Sequence, residues 1–372
     1  MRSIIIGGGV AGLAMTAALG ALQQVSESTI IERRLPHAPS GMGFLLMPNG
    51  IAALRELAPA IDWSHAGHWI ERASLRAADG SVLCEHALEP ALCVSRARFL
   101  AQLREIALGR ARARILEATS VTQLTPVSSA GTCTDCVQSV VLDNGNALDG
   151  ELFFGCDGAQ SRFRKMLFPE AALSDAAIHE IVSIADAPEL ARELGTTFRK
   201  YHDPRGGLAV GMLAEGHGRV VWFVQMDAAR YRVTDTTGSS LAAFADATLD
   251  GWAADVVEAI STTNFDQSHL WRTRDLPPLS ALHRGNAALL GDAAHACLPF
   301  TSQGANSALV DAVALARLLR DVRTAGGASE AFAEYTRLRR PNHRRLFLEG
   351  RRLRAAFLAP AASSGPVLPL VA

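Results

Sequence analysis

The sequence predicts an α/β protein: a parallel-sheet domain, discontinuous along the chain, that carries an inserted, mainly antiparallel β-sheet and ends in C-terminal helices. Three observations predict this class. An apolar strand enters a glycine-rich turn and an Ala/Leu-rich helix at residues 3–20, polar and apolar positions alternate over 70–95 and 178–230, and a late strand leads into long helices. Because α/β segments lie on both sides of the alternating stretches, we expect those stretches to be insertions.

The opening stretch SIIIGGGVAGLAMTAALG is typical of a dinucleotide-binding turn. Gly7 would make the tight turn, Gly9 would let the backbone approach a pyrophosphate, and Gly12 would let the helix pack on the strand. The second strand, STIIER, ends at Glu32, twenty residues after Gly12, where an acid can bind a ribose hydroxyl. A glycine-rich turn without a ligand is the alternative, but the ordered set of strand, glycines, helix and acid favours a dinucleotide.

The remaining elements follow from local patterns. The crossing SGMGFLLMPNG precedes a helix that starts at Ile51, and the turn Asp79-Gly80 makes a hairpin of 70–95. SRARFLAQLREIALG has the spacing of an amphipathic helix. The other expected elements are strands near 114–125 and 137–142, a helix over 239–259, and the last helices over 328–357.

Composition excludes several classes of partner. Of the 372 residues, 49% are hydrophobic and 20% charged, and the formal net charge of -1 argues against nucleic acid or an anionic membrane. No apolar run approaches the ~18 residues of a membrane span, and the first strand begins too early for a secretory signal, so we expect a cytoplasmic protein. Cys133 and Cys136 lack a second pair, so we expect free thiols and no metal. The only lysines, Lys165 and Lys200, are interpreted as a compositional bias.

Two further motifs follow strands. FFGCDGAQSRFRK places Asp157 and Arg164 after one strand, and ALLGDAAHACLPF places Gly291 and Asp292 at the end of another, before Pro299 and SQGAN. Each motif alone is compatible with an ordinary strand-to-helix turn. Their order and separation, together with the opening loop, favour a shared ligand site.

The three motifs resemble those of the class A flavoprotein aromatic monooxygenases, the family that includes p-hydroxybenzoate hydroxylase, and the resemblance spans essentially the whole chain. It implies a Rossmann-type FAD-binding domain, with Glu32 on the adenosine ribose, Arg33 beside the adenine, and Asp292 on the ribityl and pyrophosphate part of FAD. Asp157 with Arg164 would stabilise the Asp-Gly turn. The resemblance implies that FAD is bound by Gly7, Gly9, Val10, Ala11, Gly12, Glu32, Arg33, Gly43, Arg96, Asp157, Gly291, Asp292, Pro299, Gly304, Ala305 and Asn306.

A helix that starts around Gln303 to Asn306 would direct its N–H groups at the negative charge of reduced flavin. The family usually has Gly-Gln-Gly where this chain has Ser302-Gln303-Gly304, and we expect Ser302 to cap the helix. With one glycine triplet and no separate NAD(P)H domain, the resemblance implies NAD(P)H as a transient reductant. The implied reaction with O₂ hydroxylates or epoxidises an aromatic or heteroaromatic small molecule through a flavin C4a-hydroperoxide.

The substrate would lie between the flavin and the inserted sheet. The residues expected to line its site, with core packing as their alternative, are Phe44, Leu46, Trp222, Pro299 and Phe300. Few ionisable residues stand out, so we expect an apolar aromatic such as a quinolone or a phenolic polyketide. No catalytic base can be assigned, and His295 is expected to be structural.

Three alternatives stay open. A flavin-dependent halogenase would need a Trp-x-Trp segment, which this sequence lacks. A flavin-dependent reductase of the same superfamily shares the FAD domain, and a redox-silent FAD-binding scaffold would keep all three motifs. The expected FAD-binding domain comprises 1–70, 95–175 and 270–357, the substrate domain 71–94 and 176–269, and the tail 358–372, in a monomer or a homodimer.

Overall fold

A six-stranded sheet and an eight-stranded sheet dominate the computed structural model, which describes residues 1–35, 43–110, 112–127 and 135–360. Cys133, residues 40–42 of the SGMG crossing and residues 361–372 of the expected tail lie outside the described residues. The described strands are β1 (Arg2–Ile6), β2 (Glu27–Ile31), β3 (Gly43–Leu46), β4 (His68–Ala77), β5 (Val82–Ser95), β6 (Ala113–Leu116), β7 (Val121–Pro126), β8 (Val137–Leu142), β9 (Ala147–Asp149), β10 (Leu152–Gly155), β11 (Ile178–Asp186), β12 (Thr197–His202), β13 (Leu208–Gly216), β14 (Arg219–Asp227), β15 (His269–Thr273), β16 (His283–Arg284) and β17 (Ala287–Leu289).

Helices cover the six-stranded sheet and the outer face of the eight-stranded one. The described α-helices are α1 (Val10–Leu19), α2 (Pro48–Leu57), α3 (Arg96–Arg110), α4 (Arg162–Leu167), α5 (Pro188–Leu194), α6 (Gly238–Thr248), α7 (Ala254–Ser261), α8 (Asp292–His295), α9 (Gly304–Leu319) and α10 (Ala325–Leu358). None of the described helices has the length and apolar composition needed to cross a membrane.

The six-stranded sheet has the order β16-β17-β10-β1-β2-β6 and is parallel except for β16. Its central strand β1 is apolar after Ser3 and buried, as expected for a parallel strand covered on both faces. Helix α1 is buried on almost every side and packs between this sheet, α3 and α9. The core of this part is therefore continuous from the sheet through α1 to α9.

The eight-stranded sheet has the order β15-β11-β14-β13-β12-β4-β5-β3, and its pairs are antiparallel except β12 with β4. The predicted hairpin of 70–95 is confirmed as β4 and β5, with Gly80 at φ +92° in its turn. The two edge strands of this sheet do not fall within the expected substrate domain, since β3 lies before residue 71 and β15 extends beyond residue 269. A separate three-stranded sheet has the order β7-β8-β9.

Some local expectations were wrong. The single helix expected over 239–259 is two helices, α6 and α7, because Asp250-Gly251 makes a turn in which Gly251 adopts φ +74°. Helix α5 lies in a stretch that we expected to be β-structure. Its signals were present in the sequence as Pro188 at the first helical position and Gly195 at the end. Cys136 is disulfide-bonded and not a free thiol.

Candidate functional site

The candidate site begins where the parallel strands of the six-stranded sheet end. Ile6 pairs with Ile31 and with Gly155, and Gly155 pairs with Leu289, so four strands end at one edge. The three predicted motifs follow these strands directly, and the sheet therefore brings together segments that are far apart in sequence. Such an edge is the usual ligand position in open α/β sheets.

The glycine turn between β1 and α1 has no room for side chains at two of its positions. Gly7 adopts φ +107°, and a Cβ there would lie 2.3 Å from the backbone oxygen of Cys156. A Cβ on Gly12 would lie 1.9 Å from the oxygen of Gly7. By contrast, no atom of the described residues lies within 4 Å of a Cβ built on Gly9, the N-cap residue, and no side chain among them caps α1. The first N–H groups of α1 therefore face open space, as an anion site requires.

Glu32 lies beside this turn at the end of β2. Its carboxylate accepts hydrogen bonds from the backbone N–H groups of Gly8 at 2.7 Å and of Arg34 at 2.8 Å. Arg33 is exposed beside it. The carboxylate is thereby held in a fixed orientation at the edge of the glycine turn.

Asp157 and Arg164 fix the second motif. The Asp157 carboxylate accepts hydrogen bonds from the Ser161 hydroxyl and from the N–H groups of Arg162 at 2.8 Å and Phe163 at 3.1 Å, so it caps α4. The buried Arg164 guanidinium donates to the carbonyl oxygens of Ala159 at 2.7 Å and Ala293 at 3.0 Å. Arg164 therefore joins the second motif to the third.

Asp292 and Arg96 lie at the centre of the candidate site. The Asp292 side chain is exposed, yet protein atoms surround it, and this desolvation raises its pKa against the opposing positive charge of His295, Arg96 and Arg164. Burial and Arg34 lower the pKa of Arg96, against the charges of Asp292 and Glu32. Neither side chain has a hydrogen bond or ion pair with any described residue, so both are available to a ligand.

The N-terminus of α9 faces Asp292. A Cβ on Gly304 would lie 3.8 Å from the Asp292 Oδ1 atom and 4.0 Å from the Cys297 Sγ atom. The Asn306 side chain points elsewhere: its amide donates to the oxygens of Leu45 and Ser302, and its oxygen accepts from the Met47 N–H. Asn306 thus holds β3 against α9, which leaves only its backbone N–H for a ligand.

One expectation for this segment changes, and Gly43 has a packing role beside its expected FAD contact, which stays a prediction. Ser302 adopts the left-handed conformation at φ +52°, and the N-cap residue of α9 is Gln303. Ser302 is therefore not the N-cap residue that we expected. A Cβ on Gly43 would lie 2.3 Å from Val221 Cγ2, so this glycine permits close contact between β3 and β14.

The substrate-lining residues expected from the sequence fall in different places. Trp222 is fully buried on the outer face of the eight-stranded sheet, where it packs on Phe265 and donates to the Thr263 hydroxyl at 2.7 Å. The expectation for Trp222 is therefore corrected, because strand alternation places Phe223 on the inner face instead. The rings of Phe223 and Phe198 lie 6.2 Å apart there, and Phe223 remains partly exposed.

The other four candidates differ in their exposure. Leu46 and Phe300 are fully buried, and Phe300 packs on Phe357 with ring centroids 5.3 Å apart. Phe44 and Pro299 are partly exposed, and Phe44 makes an edge contact with Phe99 at 5.4 Å. Partial exposure thus distinguishes Phe44, Pro299 and the overlooked Phe223 from the fully buried Leu46, Phe300 and Trp222.

These features fit FAD. A pyrophosphate needs uncapped helix N–H groups and a backbone that it can approach closely, and Gly9 with α1 provides both. Ribityl and ribose hydroxyls need acceptors, which Asp292 and Glu32 carry at the same edge. The guanidinium of Arg96 can balance the charge of a phosphate.

A family model described as an FAD binding domain matches residues 1–348. The chain belongs to the FAD-binding domain family. Over 364 residues, 94% of this chain and 87% of the relative, it is 30% identical to the 3-amino-4-hydroxybenzoate 2-monooxygenase of Streptomyces platensis. It is 25% identical to the 3-hydroxybenzoate 6-hydroxylase of Klebsiella oxytoca over 368 residues, which are 93% of this chain and 86% of that protein.

Solved structures confirm the fold of this family member. Klebsiella pneumoniae HpxO, complexed with FAD and uric acid, matches with a TM-score of 0.83 at 22% identity over 98% of this chain and 90% of that one. Pseudomonas aeruginosa PqsL, in complex with 2-aminobenzoylacetate, matches with a TM-score of 0.80 at 22% identity over 98% of both chains. The chain is an FAD-dependent flavoprotein monooxygenase, and the fold class expected from its sequence is confirmed.

Sequence reasoning missed a buried ionisable row in this monooxygenase. On the inner face of the eight-stranded sheet, Lys200 Nζ donates to Gln225 Oε1 at 2.9 Å, and Gln225 Nε2 donates to Glu180 Oε1 at 2.5 Å. The ammonium also lies 5.7 Å from the Phe300 ring centroid. The available signal was the lysine itself, because only two of the 36 Lys and Arg residues are lysines. The rarity of lysine is also compatible with a compositional bias, which is the interpretation given above.

Proposed function

We propose that this monooxygenase binds FAD across its three motifs and uses NAD(P)H and O₂ to hydroxylate or epoxidise an aromatic or heteroaromatic small molecule. The substrate would lie between the cofactor and the inner face of the eight-stranded sheet. One observation carries the proposal. At one edge of the six-stranded sheet, the uncapped N-terminus of α1 lies with the Asp292 carboxylate and the Arg96 guanidinium, neither of which is paired with a described residue.

Bound FAD supplies the redox chemistry that takes electrons from NAD(P)H and activates O₂. We assign the pyrophosphate to the N–H groups of Val10 and Ala11 and to the backbone at Gly9, with Arg96 as the nearby positive charge. Glu32 and Asp292 accept hydrogen bonds from hydroxyl groups of the cofactor. The N-terminus of α1, Arg96, Glu32 and Asp292 orient the cofactor, and none of them changes covalently.

We assign Asp157 and Arg164 to the support of these contacts and not to the cofactor itself. Their hydrogen bonds hold α4 and the segment at Ala293, and so keep the second and third motifs at a fixed separation. Helix α9 directs the positive end of its dipole and the N–H groups of Gly304 and Ala305 toward the cleft, which favours negative charge there.

The lining of the substrate space supports an aromatic ligand. Phe44, Pro299 and Phe223 are apolar and partly exposed, and we assign them to the wall that packs on the substrate ring and excludes water. The names of the two relatives given above contain a hydroxybenzoate as the substrate. For this chain we propose a more apolar aromatic compound, because the ionisable row at Lys200 is fully buried.

The division into domains stays a proposal, with β3 and β15 now assigned to the substrate-binding sheet. We also propose a monomer or a homodimer. The cytoplasm is proposed as its compartment, since Cys84, Cys93, Cys156 and Cys297 are free thiols, although Cys136 is not.

The test follows the visible absorbance of the FAD-loaded protein as NADPH or NADH is added without oxygen, with and without a panel of aromatic compounds. We expect slow bleaching alone and faster bleaching with compounds of the substrate class. A flavin spectrum that neither donor bleaches with any compound would contradict the proposal, and would favour a scaffold or an enzyme that needs a partner reductase.

The cofactor site has its own test. Asp292→Ala should give soluble protein that retains FAD poorly, because the side chain that accepts hydrogen bonds from the cofactor is gone. The matched control is Asp266→Ala, an exposed aspartate beside α6. Full FAD occupancy in Asp292→Ala would remove Asp292 from the cofactor site.

A further inference from the structure

A fully buried carboxylate lies directly behind the Gly291-Asp292 turn. Asp311, on α9, accepts hydrogen bonds from the Gly291 N–H at 3.1 Å, His295 Nε2 at 2.5 Å, Arg339 Nε at 2.7 Å and His343 Nε2 at 3.3 Å. These donors come from the turn itself, from α8 and from α10. One carboxylate therefore joins α8, α9 and α10 to the third motif.

Neighbouring groups favour the charged form of the Asp311 carboxylate. Burial alone would raise the pKa of Asp311, but His295, Arg339 and His343 hold it well below its usual range. Burial and the neighbouring His295 lower the pKa of His343 to about 4. The other titratable groups that interact with Asp311 are Tyr335 on α10 and Cys156 after β10, and Asp311 raises the pKa of both, although burial is the larger cause.

The cluster also has the residue types of a metal site, since ligand atoms of His295, Asp311 and His343 lie within 4.8 Å of one another. Two features argue against a metal. The imidazole rings stack with centroids 3.8 Å apart, and Arg339 already neutralises the carboxylate. A cation would have to displace this guanidinium from a buried position.

We propose that Asp311 is a positioning residue that holds the Gly291-Asp292 turn in the shape that binds the cofactor. Gly291 adopts φ +58° and Asp292 follows it directly, so a shift of the Gly291 N–H would move the Asp292 carboxylate. From outside α8, the turn is also held by the Arg164 bond to the Ala293 oxygen at 3.0 Å and by the bond from the Leu290 N–H to the Gly155 oxygen at 3.0 Å. This inference rests on the proposed role of Asp292 in binding FAD.

The experiment compares Asp311→Asn with Asp255→Asn in the full chain. Asp255 is a matched control, because it is a largely buried carboxylate that binds Arg199 at 2.9 Å and the Tyr201 hydroxyl in the other sheet. FAD affinity of the apoprotein is measured by flavin fluorescence, and the free energy of unfolding by urea without FAD. Asp311→Asn should weaken FAD binding about tenfold or more, whereas Asp255→Asn should lower stability and leave FAD affinity unchanged.

A second variant covers the case in which Asp311→Asn does not fold. Arg339→Met keeps the carboxylate and removes the guanidinium that binds it, which with His295 and His343 lowers its pKa, so the pKa of Asp311 should rise. FAD affinity should then fall more steeply than that of the wild type as the pH is lowered toward about 5. A loss of stability without this pH dependence would indicate a structural role alone.

The outcomes separate the two proposals. If Asp292→Ala retains full FAD affinity, the proposed cofactor role of Asp292 fails, and the inference about Asp311 fails with it. If Asp292→Ala loses FAD while Asp311→Asn binds it normally, only the positioning role is overturned. Isothermal titration with Zn²⁺ alone provides a third arm, since stoichiometric binding that disappears in His343→Gln would contradict the positioning role and assign a metal site.

Discussion

Glu180 and Lys200 show how strongly burial shifts the pKa of individual side chains in this enzyme. Both side chains are almost inaccessible to water, and Gln225 bridges them. Burial raises the pKa of Glu180 from 4.5 to about 7 and lowers the pKa of Lys200 from 10.5 to about 7, and each opposes the other's shift through its charge. The charged forms of both residues are therefore disfavoured in the folded state.

This pair makes a prediction about pH. Between pH 4.5 and about 7 the folded state binds more protons at Glu180 than the unfolded state, so this group's contribution to stability falls as the pH rises. Between about 7 and 10.5 the folded state binds fewer protons at Lys200, so stability rises with pH. The pair's contribution is therefore smallest near pH 7.

The variant Glu180→Gln/Lys200→Met should gain about 1–4 kcal/mol in free energy of unfolding relative to the wild type, because two buried ionisable groups are replaced by neutral groups. Urea unfolding at about pH 5, 7 and 9 should show the largest gain near pH 7. The control is the exposed pair Glu334 and Arg337, whose neutralisation should leave the free energy of unfolding almost unchanged. A gain that is equal at all three pH values would contradict the explanation.

At the scale of an element, the turn between β1 and α1 gives three glycines three different tasks. Gly7 needs a positive φ, Gly12 needs the absence of a Cβ for helix packing, and Gly9 borders open space at φ -82°. Only the third arrangement leaves room for a ligand. Identical residues in one motif thus serve folding in two cases and cofactor binding in one.

Substitutions should separate these tasks. Gly9→Ala should change the free energy of unfolding of the apoprotein by less than about 1 kcal/mol and weaken FAD binding, because the methyl group occupies the space that the pyrophosphate needs. Gly12→Ala should destabilise the apoprotein by about 1–3 kcal/mol despite the helix propensity of alanine, since its Cβ would overlap the Gly7 oxygen. Thermal unfolding and FAD titration of both variants test this, and equal effects on stability would count against it.

At the scale of the whole molecule, the cofactor site joins segments that are separated by more than a hundred residues. The glycine turn, Asp157 with Arg164, and Asp292 reach one edge only when β1, β10 and β17 are paired. The site therefore exists in the folded state and not in the unfolded chain. Binding of FAD must then stabilise the fold.

The size of this stabilisation is predictable. At a free FAD concentration of about 100 times its Kd, the free energy of unfolding should rise by about 2.7 kcal/mol. Urea unfolding with and without FAD measures the rise, and riboflavin, which lacks the pyrophosphate, is the control and should stabilise less at the same concentration. Stabilisation by riboflavin equal to that by FAD would contradict the assignment of Gly9 and α1 to the pyrophosphate.

The sequence by itself determined the fold class and the three motifs, because turns and strand-to-helix junctions depend on local chemistry. The spacing of Gly7, Gly9 and Gly12 and the strand before Asp292 needed no knowledge of distant residues. The hairpin at Gly80 was predicted for the same reason. Helix α5 and the break at Gly251 were not predicted, although both have local signals: Pro188 and Gly195 at the two ends of α5, and Asp250-Gly251 in the turn.

Only the tertiary structure decided which side chains share a space. Strand alternation separates Trp222 from Phe223, but nothing in the strand itself tells which face meets the cofactor. The contact of Asp311 with Gly291 and the burial of Lys200 beside Glu180 depend on how helices and sheets pack at long range. Local sequence patterns specify elements, whereas burial and charge pairing come from surfaces that meet only after folding, and those surfaces set the chemistry of this site.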